Sequence, residues 1–178
     1  ISLCFHNHIA YNYHVDGYLI VNLGSPDSTK VSDVRKYLDE FLMDKYVLDV
    51  AKIIRLMIVK CFILPFRPKK SAEAYQSIWW DEGSPLIVLS KRLLVKIKKK
   101  FKAPIALAMR YGNPSIKYGI EDLLKQDPKI SHIKLVPLYP HYAMATTITV
   151  IEKTREVIEK HFPQLTFSYI ESFYQHPE

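Results

Sequence analysis

Four apolar runs separated by helix-period stretches constrain the fold of this chain more than any other feature of its sequence. The runs cover residues 18–23, 105–109, 132–137 and 166–171. Each is apolar continuously or nearly so, as expected of a strand covered on both faces. The intervals read as helices over 31–43, 48–64, 71–79, 85–100, 115–125 and 147–161. Ser32-Asp33 and Ser115 stand as start signals just before apolar periodicity. Strands alternating with helices imply βαβ units, right-handed crossovers and a parallel sheet. The expected fold class is therefore α/β: a doubly wound parallel four-stranded sheet. Its first crossover is unusually long and carries three or four helices.

Three of the runs break off into short polar or aromatic motifs. They are Asn22-Leu23-Gly24-Ser25-Pro26, Arg110-Tyr111-Gly112-Asn113-Pro114 and Leu138-Tyr139-Pro140-His141-Tyr142. In an open parallel sheet, ligands bind in the crevice outside the carboxyl ends of the strands. Three such ends delivering unusual residues to one rim read as one wall of a binding cleft.

Composition narrows the function classes. With 178 residues, 48% hydrophobic, 24% charged and only 5 Gly, the chain reads as globular and ordered, and large enough for one real core. Its net charge of +7 is concentrated in the lysine run of residues 96–102 and the stretch 67–70. The lysine run reads as the solvated end of a helix, where cations complement the macrodipole. No nucleic-acid module accompanies it, so nucleic acid is not an expected partner. Two cysteines, Cys4 and Cys61, form neither a disulfide framework nor a metal-ligand spacing. Cys61 is expected as a small buried hydrophobe, and the setting as reducing and cytoplasmic.

Residues 1–16 lack an initiator Met, a basic n-region and a cleavage site, and their His and Tyr richness does not match the pattern that starts at Gly17. They are expected to be an extension to an α/β domain over 17–178. Residues 47–66 have the length of a membrane span, but Asp49, Lys52, Arg55 and Lys60 would each cost roughly 2.5–3.5 kcal/mol near a bilayer centre. Those charges are expected on one stripe, leaving a broad apolar face. That face would pack on the core, or lie at a ligand mouth or peripherally on a membrane.

The motifs together resemble the N-terminal half of ferrochelatases, enzymes that insert ferrous iron into a porphyrin to make haem. The resemblance rests on six pieces in order. They are Val21-Asn22-Leu23-Gly24-Ser25-Pro26, Val34-Arg35-Lys36-Tyr37-Leu38 leading to Phe41-Leu42, Ile63-Leu64-Pro65-Phe66-Arg67, Gly83-Ser84-Pro85-Leu86, Met109-Arg110-Tyr111-Gly112 and Leu138-Tyr139-Pro140-His141-Tyr142. It implies a chelatase-like fold of two similar doubly wound domains with the porphyrin between them, this chain supplying the first. Porphyrins are flat apolar macrocycles with propionate carboxylates. They call for apolar walls, cationic and hydroxyl groups, and a base for the pyrrole N–H protons.

The resemblance assigns porphyrin-binding roles to eight residues. Arg67 would pair with a propionate, a task suited to a planar guanidinium. Tyr75 and Ser84 would donate hydroxyls near it, although Ser84 also fits a helix cap. Leu23 and Phe41 would form the apolar lip, and without the resemblance both read as core residues. Arg110 and Tyr111 would sit in the pocket, with a structural ion pair as the alternative. Tyr142 would line the pocket, and Thr146 and Thr147 would bond the N-terminus of the following helix. His141 stands where Gln is more usual in the family; it is a weak candidate metal ligand, because the family's catalytic base lies elsewhere.

The catalytic His of the family, in a Ser-x-His-Gly-type motif, and its partner Glu are expected beyond Glu178, so no catalytic residue is assigned here. Residues 174–178 read as the loop before that motif. Fe2+ and porphyrin are expected as substrates, with no cofactor in this span, and the 178 residues alone are expected to be inactive. The alternative is a non-enzymatic tetrapyrrole-binding or membrane-associated module. A compact chelatase acting on sirohydrochlorin is disfavoured by the long first crossover.

Overall fold

A computed structural model describes residues 15–170. The expectations for residues 1–14 and 171–178 therefore lie outside the described residues. β1 (Val15–Ser25), β2 (Ile105–Gly112), β3 (Ile130–Pro137) and β4 (Thr166–Tyr169) form one parallel sheet in the order β2-β1-β3-β4. Order reverses between β1 and β3, so the crevice of a doubly wound sheet opens at their carboxyl ends. β1 starts inside the stretch read as an extension.

The apolar runs form strands because they bury both faces at the sheet centre. On one face Leu19, Val21, Ala106, Ala108, Ile133 and Leu135 pack beneath α5 (Ile116–Gln126) and α6 (Thr149–His161). On the other, Ile20, Ile105, Leu107 and Met109 pack beneath α4 (Pro85–Lys100) through Leu86, Ile87, Leu94 and Ile97. β4 departs from the expectation, since Thr166, Ser168 and Tyr169 are exposed and only Phe167 packs inward. α5 and α6 both lie on one face, and the open face of β3 and β4 is polar. There His132 bridges Thr166 Oγ1 and Ser168 Oγ, each at 2.8 Å.

The first crossover builds a cap over the carboxyl ends. α1 (Val31–Leu42), α2 (Lys52–Met57) with its π-helical continuation Ile58–Ile63, and α3 (Arg67–Ile78) gather around Val34, Tyr37, Leu38, Val59, Leu64, Ala72 and Tyr111. Two expectations for this segment are corrected. Arg55 is buried, not aligned with the exposed Lys52 and Lys60, and its apolar neighbours Ile53, Ile54, Leu56 and Met57 are exposed. The buried positions run Arg55, Val59, Leu64: a step of four and then of five, the second matching the Leu64 N to Val59 O hydrogen bond of 2.9 Å. Cys61, two residues beyond Val59, therefore faces outward and is exposed rather than buried. Among the described residues, no helix is long and apolar enough to cross a membrane.

Candidate functional site at the strand ends

The glycines of two motifs explain one another. β1 and β2 pair to their last residues, Gly24 opposite Tyr111 and Ser25 opposite Gly112. Gly24 has φ +108°, and a Cβ there would overlap the Tyr111 carbonyl oxygen. Gly112 has φ +75°, and its Cβ would meet the Ser25 carbonyl oxygen at 2.8 Å. Only glycine allows both the left-handed backbone and the approach. The two strand ends are thereby drawn together, and the segments leaving them start from the same place.

Four of the eight expected site residues meet there. Leu23, Phe41 and Tyr75 pack around the fully buried Tyr111, with Tyr37 in their midst. The Phe41 ring meets Tyr111 edge-on at 5.2 Å and lies parallel to Tyr37 at 6.1 Å. Tyr75 meets Tyr37 edge-on at 6.3 Å and Trp79 at 6.2 Å. Such aromatic pairs contribute about 0.5–1.5 kcal/mol each beyond area burial. Burial pushes the phenols of Tyr37, Tyr111 and Tyr139 well above the ordinary tyrosine range. Tyr75 is raised by burial too, but its hydrogen bond to Tyr37 and the nearby Arg67 charge oppose the rise. Two buried hydroxyls at this rim, Tyr139 OH and Thr147 Oγ1, have no hydrogen-bond partner among the described residues.

Arg67 opens α3, earlier than the helix start expected at residue 71, with Pro68 buried in its first turn. It is exposed and carries no ion pair among the described residues. Ser84 occupies the N-cap position of α4, where its carbonyl accepts from Val88 N at 2.9 Å. Its hydroxyl makes no capping bond, although the residue is buried. Ser84 instead lines a cavity of about 720 Å³ at the β2 edge, with Trp79, Lys91 and Lys117. Of the aromatic cluster Trp79 lines this cavity, and Tyr37, Phe41, Tyr75 and Tyr111 do not. Tyr142 and His141 lie exposed in the loop after β3. No group of three metal-ligating side chains occurs among the described residues.

Arg110 is committed elsewhere. Its Nη2 donates to Asp44 Oδ2, and its Nε donates to Thr149 O at 3.0 Å and Thr149 Oγ1 at 2.6 Å. Tyr111 OH donates to the same Asp44 oxygen at 2.9 Å, and Thr149 Oγ1 is a third donor to it. Burial raises the cost of ionising Asp44, but these bonds together with Tyr46 N, at 2.8 Å, outweigh it and hold the carboxyl below the usual range. The structural ion pair thus describes Arg110. Asp44 carried no sequence signal, because it stands in an irregular connection 66 residues from its partner. Thr149, not Thr146 or Thr147, supplies the hydroxyl at the start of α6. Thr146 Oγ1 turns back to Ala143 O at 3.3 Å.

Comparison with known proteins gives this arrangement a family. The model of the ferrochelatase family matches residues 15–178. A ferrochelatase of Stutzerimonas stutzeri is 50% identical over 161 residues, which are 90% of this chain and 46% of that protein. Ferrochelatases of Pseudomonas paraeruginosa and Pseudomonas syringae pv. syringae are 51% and 49% identical over 160 and 161 residues, again 46% of each. The chain spans about half the length of the curated relatives it matches. With the match running from the first residue of β1 to the end of the sequence, this chain belongs to the ferrochelatase family.

Proposed function

We propose that this chain forms one wall of the porphyrin cleft in an enzyme that inserts Fe2+ into a porphyrin to make haem. The observation that carries the proposal is the convergence of Leu23, Phe41, Tyr75 and Tyr111 on the β1 and β2 ends, with Arg67, which has no ion pair among the described residues, on the helix that brings Tyr75. Leu23 and Phe41 offer the macrocycle an apolar edge. Arg67 offers a propionate a forked donor, and Tyr75, held neutral, can donate its hydroxyl. Removal of the pyrrole protons needs a general base. None is assigned in this span, so the 178-residue chain binds porphyrin without metalating it.

A Soret-band titration of the chain with a dicarboxylic porphyrin tests this. Saturable one-to-one binding is expected, with Arg67→Ala weakening it about tenfold, the size of one lost charge-assisted pair. Absence of binding, indifference to Arg67→Ala, or iron insertion by this chain alone would overturn the reading.

A peripheral membrane contact is supported by six exposed apolar residues on the cap: Ile53, Ile54, Leu56, Met57, Phe62 and Phe66. They flank a cluster that faces the proposed cleft, where an apolar substrate would enter from a bilayer surface. Co-sedimentation with anionic vesicles should fall severalfold in a Phe62→Ser/Phe66→Ser variant. Equal pelleting of both proteins would rule the membrane contact out.

A further inference from the structure

Asp44 lies in the connection between α1 and α2, three residues after Phe41, and its side chain is only 5% exposed. One of its oxygens, Oδ2, takes donors from two other elements: Arg110 and Tyr111 from the end of β2, and Thr149 from the start of α6. The other oxygen is taken by Tyr46 N. The Arg110 guanidinium also lies over the Tyr111 ring at 4.2 Å.

A plain structural ion pair would account for the contacts. It does not account for where the guanidinium sits. In the ladder Asn22 faces Met109 and Gly24 faces Tyr111, so Leu23 and Arg110 lie between those two pairs on neighbouring strands at the rim. Arg110 is thus beside the residue expected to touch the macrocycle. It also borders two openings of about 230 and 340 Å³ and is not sealed in. An unpaired arginine there would draw a carboxylate as strongly as Arg67 does, because a guanidinium fork suits any carboxylate. Among the described residues Arg67 has no ion pair, whereas Arg110 has one.

We infer that Asp44 is a positioning residue: by neutralising Arg110 it leaves Arg67 as the rim guanidinium that takes an anionic substituent of the substrate. The inference rests on the porphyrin-wall reading and adds to it the reason a flat, nearly symmetric ligand docks in one direction. Asp44 touches no substrate. It acts through Arg110.

The test compares a dicarboxylic porphyrin with its dimethyl ester on the full 178-residue chain. Asp44→Asn keeps the side-chain size and removes the charge. In an Arg67→Ala background it is expected to restore dicarboxylate affinity at least fivefold, with ester affinity unchanged. Asp44→Glu, which keeps the charge, is expected to restore nothing. A merely structural Asp44 would instead weaken both ligands equally, and that result, or no change in either, overturns the inference. Should Asp44→Asn fail to fold, Asp44→Asn/Arg110→Gln leaves no uncompensated charge and decides the matter in the otherwise wild-type chain. Its dicarboxylate affinity should equal that of wild type; a tenfold loss would show that Arg110 holds the carboxylate itself. If the wild-type chain binds neither ligand, the wall reading has failed, and not this addition to it.

Discussion

The tyrosines at the rim show how burial becomes a measurable property of single residues. Tyr37 and Tyr111 are buried, Tyr139 keeps its hydroxyl buried, and burial disfavours each phenolate. In the unfolded chain all three would ionise near pH 10. The folded state therefore holds protons that the unfolded state loses. Their contribution to stability is complete below about pH 10 and declines as pH rises above it. An alkaline titration followed at 295 nm should show at least three of the 12 tyrosines silent until the far-UV circular dichroism collapses. Ionisation of all 12 near pH 10 in a native-like spectrum would contradict the burial described. Asp44 works in the opposite direction: with its carboxyl held low, its contribution is present at neutral pH and is lost as acid protonates it.

Elements were legible in the sequence where period and burial agree. β1 and β2 read as continuous apolar runs because helices cover both faces, and α4 begins and ends at its expected residues. Ser115 caps α5 as its position suggested, accepting from Tyr118 N at 3.2 Å. The segment after Ala51 was not legible, because a 3.6-residue period was assumed where the chain inserts a π-helical turn. One extra residue per turn shifts the later side chains around the axis, so that Leu64 is buried five residues after Val59, while Arg55 is buried ahead of that turn and Cys61 is exposed within it. A Cys4→Ser variant should therefore react stoichiometrically with a thiol reagent at Cys61 under native conditions, at close to the rate of the unfolded chain. Protection until unfolding would contradict the exposure of Cys61. The Asp44 network escaped the sequence for another reason: its parts come together only through the sheet, with Asp44 and Thr149 standing 105 positions apart.

At the scale of the molecule, a basic chain with apolar surface could take up a porphyrin in two ways. The lysine end of α4 could hold the carboxylates by charge alone, or the strand ends could hold the ring and Arg67 a propionate. The two places lie at opposite ends of α4, a helix of 16 residues and thus about 24 Å long. Leu23, Phe41 and Tyr111, from the motifs that gave the family reading, converge at the strand-end side, whereas Ser84 faces a separate cavity and Tyr142 stands exposed in the loop after β3. Ring-current shifts on adding a dicarboxylic porphyrin, mapped by heteronuclear NMR on the 20.8 kDa chain, separate the two most directly. The largest shifts are predicted at Leu23, Phe41 and Tyr75, diminished by Arg67→Ala. Shifts centred on Lys96–Lys102 and insensitive to that substitution would contradict a porphyrin wall at the strand ends.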